Sequence, residues 1–252
     1  MTILGIDPAP SKKSIVFDGD TFKPFSVEKL KEYLDSVGEN IFVAWDAPLS
    51  GADESFSIRK IESFFYLRSK TAKHLEIPKG ISTLGFSTCP HWTISQYIFA
   101  YPVMNYNYVC NLEWNLIMSE NEINFNSSKQ LTEIHPALSL WILLKNEMDN
   151  ELFFDSWQYK GRDKNLDAIA KRRQIIVDKL VELNFTKSII LVTSNLKDKM
   201  QQSDDYLDAF VCWLLAKKLL DGSSEVKIYG DEKRGSFLLP YDEKIYNYWE
   251  SQ

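Results

Sequence analysis

The stretch Ile3-Leu4-Gly5-Ile6-Asp7, followed by Ser14-Ile15-Val16-Phe17-Asp18-Gly19 and Asp20-Thr21-Phe22-Lys23-Pro24-Phe25, decides how this chain folds. The first run is short and apolar and stops at an acid before a proline-rich turn. It reads as a buried strand that presents Asp7 at its carboxyl end. Ser14 to Phe17 reads as a second strand. Asp18-Gly19 is a tight hairpin signal, so a third strand from Asp20 to Phe25 returns beside the second. Pro24 has no amide hydrogen to donate, which marks that strand as an edge. Ser26 then caps a helix to about Val37, with Val27, Leu30, Tyr33, Leu34 and Val37 at helical spacing and Gly38 at its end. The unbroken apolar run Ile41-Phe42-Val43-Ala44-Trp45 suits a central strand covered on both faces. It stops at Asp46, just before Ala47-Pro48. Two buried strands thus end in an aspartate.

Farther along, residues from about 50 to 128 break the pattern and read as an insertion on a single domain. Ser57 to Lys73 reads as a basic helix, and a segment rich in aromatics follows from Trp92 to Trp114. Gln130 to Ile134 reads as a strand carrying Glu133, ahead of His135-Pro136 and a helix from Ala137 to Leu144. Lys164 to Leu183 reads as a long amphipathic helix with Lys171, Arg172 and Arg173. Ser188 to Thr193 is β-branched and reads as a buried strand. A helix from near Ser203 to Gly222 and two short strands, around Val226 to Tyr229 and Ser236 to Leu239, complete the pattern. The order implies an α/β fold: a mixed five-stranded sheet, three antiparallel strands and then parallel ones, with helices on both faces.

Composition narrows the class. With 252 residues, 44% hydrophobic and 25% charged, the chain has ample core material. A formal net charge of −6 argues against a surface built for non-specific nucleic-acid binding, while leaving room for a local groove. Cys89, Cys110 and Cys212 show no paired spacing, which fits a reducing compartment. The first residues lack a basic, apolar leader, and no apolar run is long enough for a membrane span. A cytoplasmic protein with no membrane or disulfide partner is expected.

The segment Ser203-Asp204-Asp205-Tyr206-Leu207-Asp208-Ala209 carries the chemistry. Asp205 and Asp208 are three residues apart and share a helix face. Phe210, Val211, Trp213, Leu214 and Leu215 cover most of the circumference, so the helix is buried. Carboxylates at the edge of a core need compensation, and a divalent cation supplies it. Ser203 and Asp204 also fit an ordinary capped helix start. Only with Asp7 and Asp46 at neighbouring strand ends, where open α/β sheets place their sites, does the acidic helix become one corner of a shared cluster.

This arrangement resembles the ribonuclease H-like superfamily, and the Asp205-x-x-Asp208-Ala209 helix looks like the last helix of its Holliday-junction resolvases. The chain is also similar to a family of predicted nucleases, domain of unknown function 429. The shared features are Gly5-Ile6-Asp7, Asp46-Ala47-Pro48, Glu133-Ile134-His135-Pro136-Ala137, Lys160-Gly161-Arg162 and Asp204-Asp205-x-x-Asp208-Ala209. Pro8-Ala9-Pro10-Ser11 replaces the family's usual glycine-rich stretch, and residues 85 to 118 show no family pattern. The resemblance implies phosphodiester hydrolysis of DNA or RNA with two Mg²⁺ or Mn²⁺ ions about 4 Å apart. It implies catalytic roles for Asp7, Asp46, Glu133, Asp205 and Asp208. Asp7, bridging, would be a metal ligand with Asp46 and Asp205, Asp208 a further ligand or an outer-shell acid, and Glu133 a ligand or a residue orienting one. Lys12, Lys13, Arg59, Lys160 and Arg162 would contact phosphates.

Competing readings remain at this level. A non-catalytic module that binds metal or nucleic acid on the same fold would keep the same acids. An actin-like ATPase or kinase needs glycine-rich phosphate turns, and Pro8-Ala9-Pro10 speaks against one after Asp7. His135 is placed for a proton shuttle, but a histidine before proline is more often a structural hydrogen-bonding residue. The aromatics Trp92, Tyr97, Phe99, Tyr101, Tyr106, Tyr108 and Trp114 read as a satellite core rather than a base-stacking surface. His74 with Cys89-Pro90-His91 matches no zinc module. Gly80 to Gly85 lacks the ending of a P-loop.

Overall fold

In the computed structural model, which describes residues 1–9, 12–47, 49, 60–65, 69–81, 114–126, 129–148, 151–154, 156–161, 166–231 and 234–251, the opening meander forms as the sequence implies. Strand β1 (Thr2–Asp7) pairs antiparallel with β2 (Ser14–Phe17), which pairs antiparallel with β3 (Phe22–Phe25). Asp18 shapes the turn: its carboxylate accepts the amides of Asp20 and Thr21 at 3.0 and 2.8 Å, and Gly19 takes a φ of 96°. Helix α1 (Val27–Ser36) starts under the Ser26 cap and leads to β4 (Ile41–Trp45), which lies parallel to β1.

The sheet differs from expectation at its far side. It has six strands, in the order β3-β2-β1-β4-β6-β5, where β6 is Lys129–Glu133 and β5 is Trp114–Leu116. Both β5–β6 and β4–β6 are parallel. The extra strand comes from the end of the expected insertion, whose Trp114 is buried beside Leu131 rather than set in a satellite core. Within the same stretch, the expected Ser57 to Lys73 helix is described as two short ones, α2 (Lys60–Phe65) and α3 (Lys70–His74), the second capped by Ser69. Arg59, Cys89, His91, Cys110 and the aromatics from Trp92 to Tyr108 lie outside the described residues, as does most of the stretch from Gly80 to Gly85.

Alternation divides the core. Leu4, Ile6, Val16, Val43 and Trp45 face α1, where they meet Leu30 and Leu34. Ile15, Phe17, Phe42 and Ala44 face the opposite layer. That layer holds helices α4 (Pro136–Leu144) and α9 (Asp204–Leu220), with α6 (Leu166–Glu182) packed outside. The short helix α5 (Glu151–Phe154) precedes α6.

The expected strand from Ser188 to Thr193 does not form. Short helix α7 (Asn184–Lys187) turns the chain, and the amides of Ile189 and Ile190 both go to the Thr186 carbonyl. Thr193 then caps α8 (Ser194–Gln202), a helix the sequence pattern did not signal. A β-branched run favours extended backbone only where both neighbours and burial are available; here Leu191 is 89% exposed. The last strands, β7 (Val226–Asp231) and β8 (Gly235–Pro240), make a separate antiparallel pair, touching the main sheet through the Ile134–Leu238 bridge. Helix α10 (Glu243–Glu250) closes the chain, capped by Asp242.

Gly5 decides how the layers meet. A Cβ there would lie 2.1 Å from the Ala209 carbonyl oxygen and 2.3 Å from the Trp213 amide nitrogen. Helix α9 therefore rests backbone against backbone on β1, two residues before Asp7.

Candidate metal centre

Parallel pairing brings the first two acids together. Ile6 of β1 sits opposite Trp45 of β4, and the Asp46 amide donates to the Ile6 carbonyl at 3.0 Å. Asp7 and Asp46 thus leave adjacent strands at the same sheet edge. The close approach at Gly5 lowers the first turns of α9 onto that edge. As a result Asp7, Asp46 and Asp208 each offer a carboxylate oxygen, all within 4.8 Å of one another.

Asp208 is the most enclosed of the three, 2% exposed. Its Oδ1 accepts the Tyr159 hydroxyl at 2.7 Å, and its Oδ2 lies 2.5 Å from the Lys160 ammonium. The same ammonium is 3.6 Å from Asp46 Oδ2. Tyr159 carried no expectation from the sequence; an aromatic next to Lys-Gly in a loop is too common a pattern to single out. Lys160 was expected only as a phosphate contact, whereas here it stands among the acids.

The other expected residues divide. Asp205, one turn before Asp208, pairs with Lys12 rather than lying within the triad of ligand atoms. Lys13 is exposed on the same turn. Glu133 ends β6 and is buried, but its Oε2 accepts the Leu49 amide at 2.9 Å, bracing the segment that follows Asp46. His135 caps α4, Nδ1 accepting the Leu138 amide at 3.2 Å, with its ring edge-on to Phe237. Asp204 meets the Arg173 guanidinium at 3.6 Å, and Ser203 accepts the Asp205 amide. Arg162 lies outside the described residues.

Burial and crowding set the electrostatics. Burial, then the charges of Asp208 and Asp46, push the Asp7 carboxyl well above the usual range. Burial raises Asp46 against the opposing pull of Lys160. It lifts Asp208 to about 7, again opposed by Lys160. For Lys160 itself, burial works against the charge, but Asp208, Tyr159 and Asp46 outweigh it and hold the ammonium protonated. Three acids that resist ionising together form a site that favours an added cation. The donor set is all carboxylate oxygen, the chemistry hard divalent ions select.

Comparison with known proteins adds one finding. Residues 113–234 match DUF429, a family described as protein of unknown function. The DUF429 stretch carries Glu133, Tyr159, Lys160, Asp205 and Asp208, while Asp7 and Asp46 lie before it. No curated protein and no solved structure matches the chain. Among the described residues no helix is long and apolar enough to cross a membrane.

Proposed function

We propose that this chain is a metal-dependent nuclease of the ribonuclease H-like kind, hydrolysing phosphodiester bonds of DNA or RNA. The observation that carries the reading is the convergence of Asp7, Asp46 and Asp208 to within 4.8 Å from two strand ends and a helix. The sheet order, an antiparallel start followed by parallel strands at whose carboxyl edge the acids meet, supports it.

Mg²⁺ or Mn²⁺ suits these ligands and, when bound, supplies Lewis-acid polarisation of a phosphoryl oxygen and a more acidic water. The protein residues hold and orient. Asp7 and Asp46 present oxygens from adjacent strands whose register fixes their spacing. Tyr159 and Lys160 set the carboxylate plane of Asp208. Lys12, held by Asp205, and exposed Lys13 offer ammonium groups to a sugar–phosphate backbone beside the cluster, a local basic contact on an acidic protein.

The test is cleavage of single-stranded, duplex, junction and hybrid substrates with Mn²⁺ or Mg²⁺, against chelator and against Asp7→Asn. The expected result is metal-dependent cleavage that Asp7→Asn reduces by at least about 100-fold. No cleavage across the panel overturns the nuclease reading. Metal binding retained without cleavage would turn it toward a non-catalytic binding module.

A further inference from the structure

Lys160 places a cation among the acids of the cluster. Its ammonium spans Asp208 and Asp46, at 2.5 and 3.6 Å. Because Tyr159 takes the other oxygen of Asp208, residues of one loop engage both oxygens of that carboxylate. A second divalent ion, held on the oxygens that Lys160 engages, would stand in contact range of a like charge, whereas an ion drawn to the Asp7 side would not need that position.

The loop carrying this lysine is anchored on several sides. The Trp157 amide donates to the Lys79 carbonyl at 2.8 Å. Gly80 lets the loop approach: a Cβ there would come within 2.5 Å of the Gln158 amide nitrogen. Arg172 and Arg173 donate to the carbonyls of Gln158 and Tyr159 at 3.3 and 3.1 Å. Arg173 also donates to the Gln201 and Gln202 carbonyls at 2.9 and 3.0 Å, at the end of the helix before α9. One guanidinium therefore ties the segment presenting Lys160 to the segment presenting Asp208. Three carboxylates against one ammonium leave two formal negative charges, which a single divalent ion neutralises.

We propose that Lys160 takes the place of a second cation, so that the protein holds one divalent ion per chain among Asp7, Asp46 and Asp208. This rests on the metal reading of the site and replaces the two-ion arrangement with one ion and one ammonium. Lys160 is then a positioning residue that makes the site a mixed one.

The experiment is titration of the purified full chain with Mn²⁺ by calorimetry, with free Mn²⁺ counted by electron paramagnetic resonance. Lys160→Met, Lys160→Gln and Lys160→Arg are compared, with circular dichroism to establish folding and melting in chelator. The wild type and Lys160→Arg are expected to bind one ion. Lys160→Met and Lys160→Gln are expected to bind a second, and to melt lower in chelator with a larger rise on adding Mn²⁺. Two ions in the wild type, or a single ion in both folded neutral variants, overturns the proposal and leaves the metal site standing. An ion bound only when Lys160 is removed also overturns it. No ion in any variant overturns the metal site itself, and this proposal with it. If neither neutral variant folds, the wild-type count decides: one ion supports the proposal and two overturn it.

Discussion

The candidate site has two halves held in different ways. Asp7 and Asp46 stand on adjacent parallel strands, where ladder hydrogen bonds and a continuous apolar run fix their spacing. Asp208, Tyr159 and Lys160 come from a helix and a loop far apart in sequence, and only tertiary contacts bring them over that edge. Two of those contacts are specific: the absence of a side chain at Gly5, and the Arg173 guanidinium on three carbonyls. The strand half inherits its geometry from the sheet. The helix half depends on packing across layers, so substitutions at those contacts are expected to displace Asp208 and Lys160 more than Asp7 and Asp46.

The strongest way to break the comparison is at Gly5. The atoms a new side chain would meet are backbone of α9, which cannot rotate away. Gly5→Val is expected to cost more than about 3 kcal/mol in denaturant unfolding. Any folded fraction should lose Mn²⁺ binding while keeping its strand signal by circular dichroism. Near-wild-type stability would mean that α9 does not depend on this contact.

A pH titration reads the two halves together, as one crowded cluster. Asp208 is raised to about 7, so the folded protein holds a proton there that the unfolded chain releases near the ordinary carboxylate value. Without metal, that stability is present at acid pH and is lost as pH rises toward and through 7. One such group gives a slope approaching about 1.4 kcal/mol per pH unit between the two values. Asp7 and Asp46 shift the same way and add to it. Saturating Mn²⁺ should flatten or reverse the slope, because binding favours the ionised acids. A metal-free protein whose stability rises over this range would contradict the buried cluster.

Arg173→Ala removes donors from three carbonyls and the partner of Asp204. About 2 kcal/mol of stability and roughly tenfold in Mn²⁺ affinity are expected to go, read by denaturant unfolding and calorimetry. Stability loss with unchanged affinity would show that the clamp does not set the geometry of the helix half. The smallest effect is expected at the strand half's brace. Glu133→Gln keeps an oxygen for the Leu49 amide and should cost less than about 1 kcal/mol, with Mn²⁺ affinity nearly unchanged. A large loss of affinity there would place Glu133 among the ligands.

The strand half was legible in the sequence because its signals are local. An apolar run ending in an acid, a hairpin dipeptide and a proline at an edge each act over a few residues, and the observed β1 to β4 follow them. The run Ile189-Ile190-Leu191-Val192 shows the limit of the same reasoning: its composition is that of a strand, but turn hydrogen bonds to Thr186 and exposure of Leu191 decide otherwise. β5 was missed for the opposite reason, since three residues carry too short a pattern to announce an edge strand. In the helix half, the spacing of Asp205 and Asp208 marked a shared face, yet the two part company: one goes to Lys12 and the other to Lys160 and Tyr159.

By itself the sequence determined the strand-end acids and the buried acidic helix, because periodicity and turn chemistry operate over a few residues. It could not determine which cation stands among the acids. That depends on the close approach at Gly5 and on the Arg173 clamp, contacts between segments more than a hundred residues apart or on separate elements. Burial there raises the electrostatic stakes of every group. Only the tertiary structure decided that a lysine from a distant loop would stand among three aspartates.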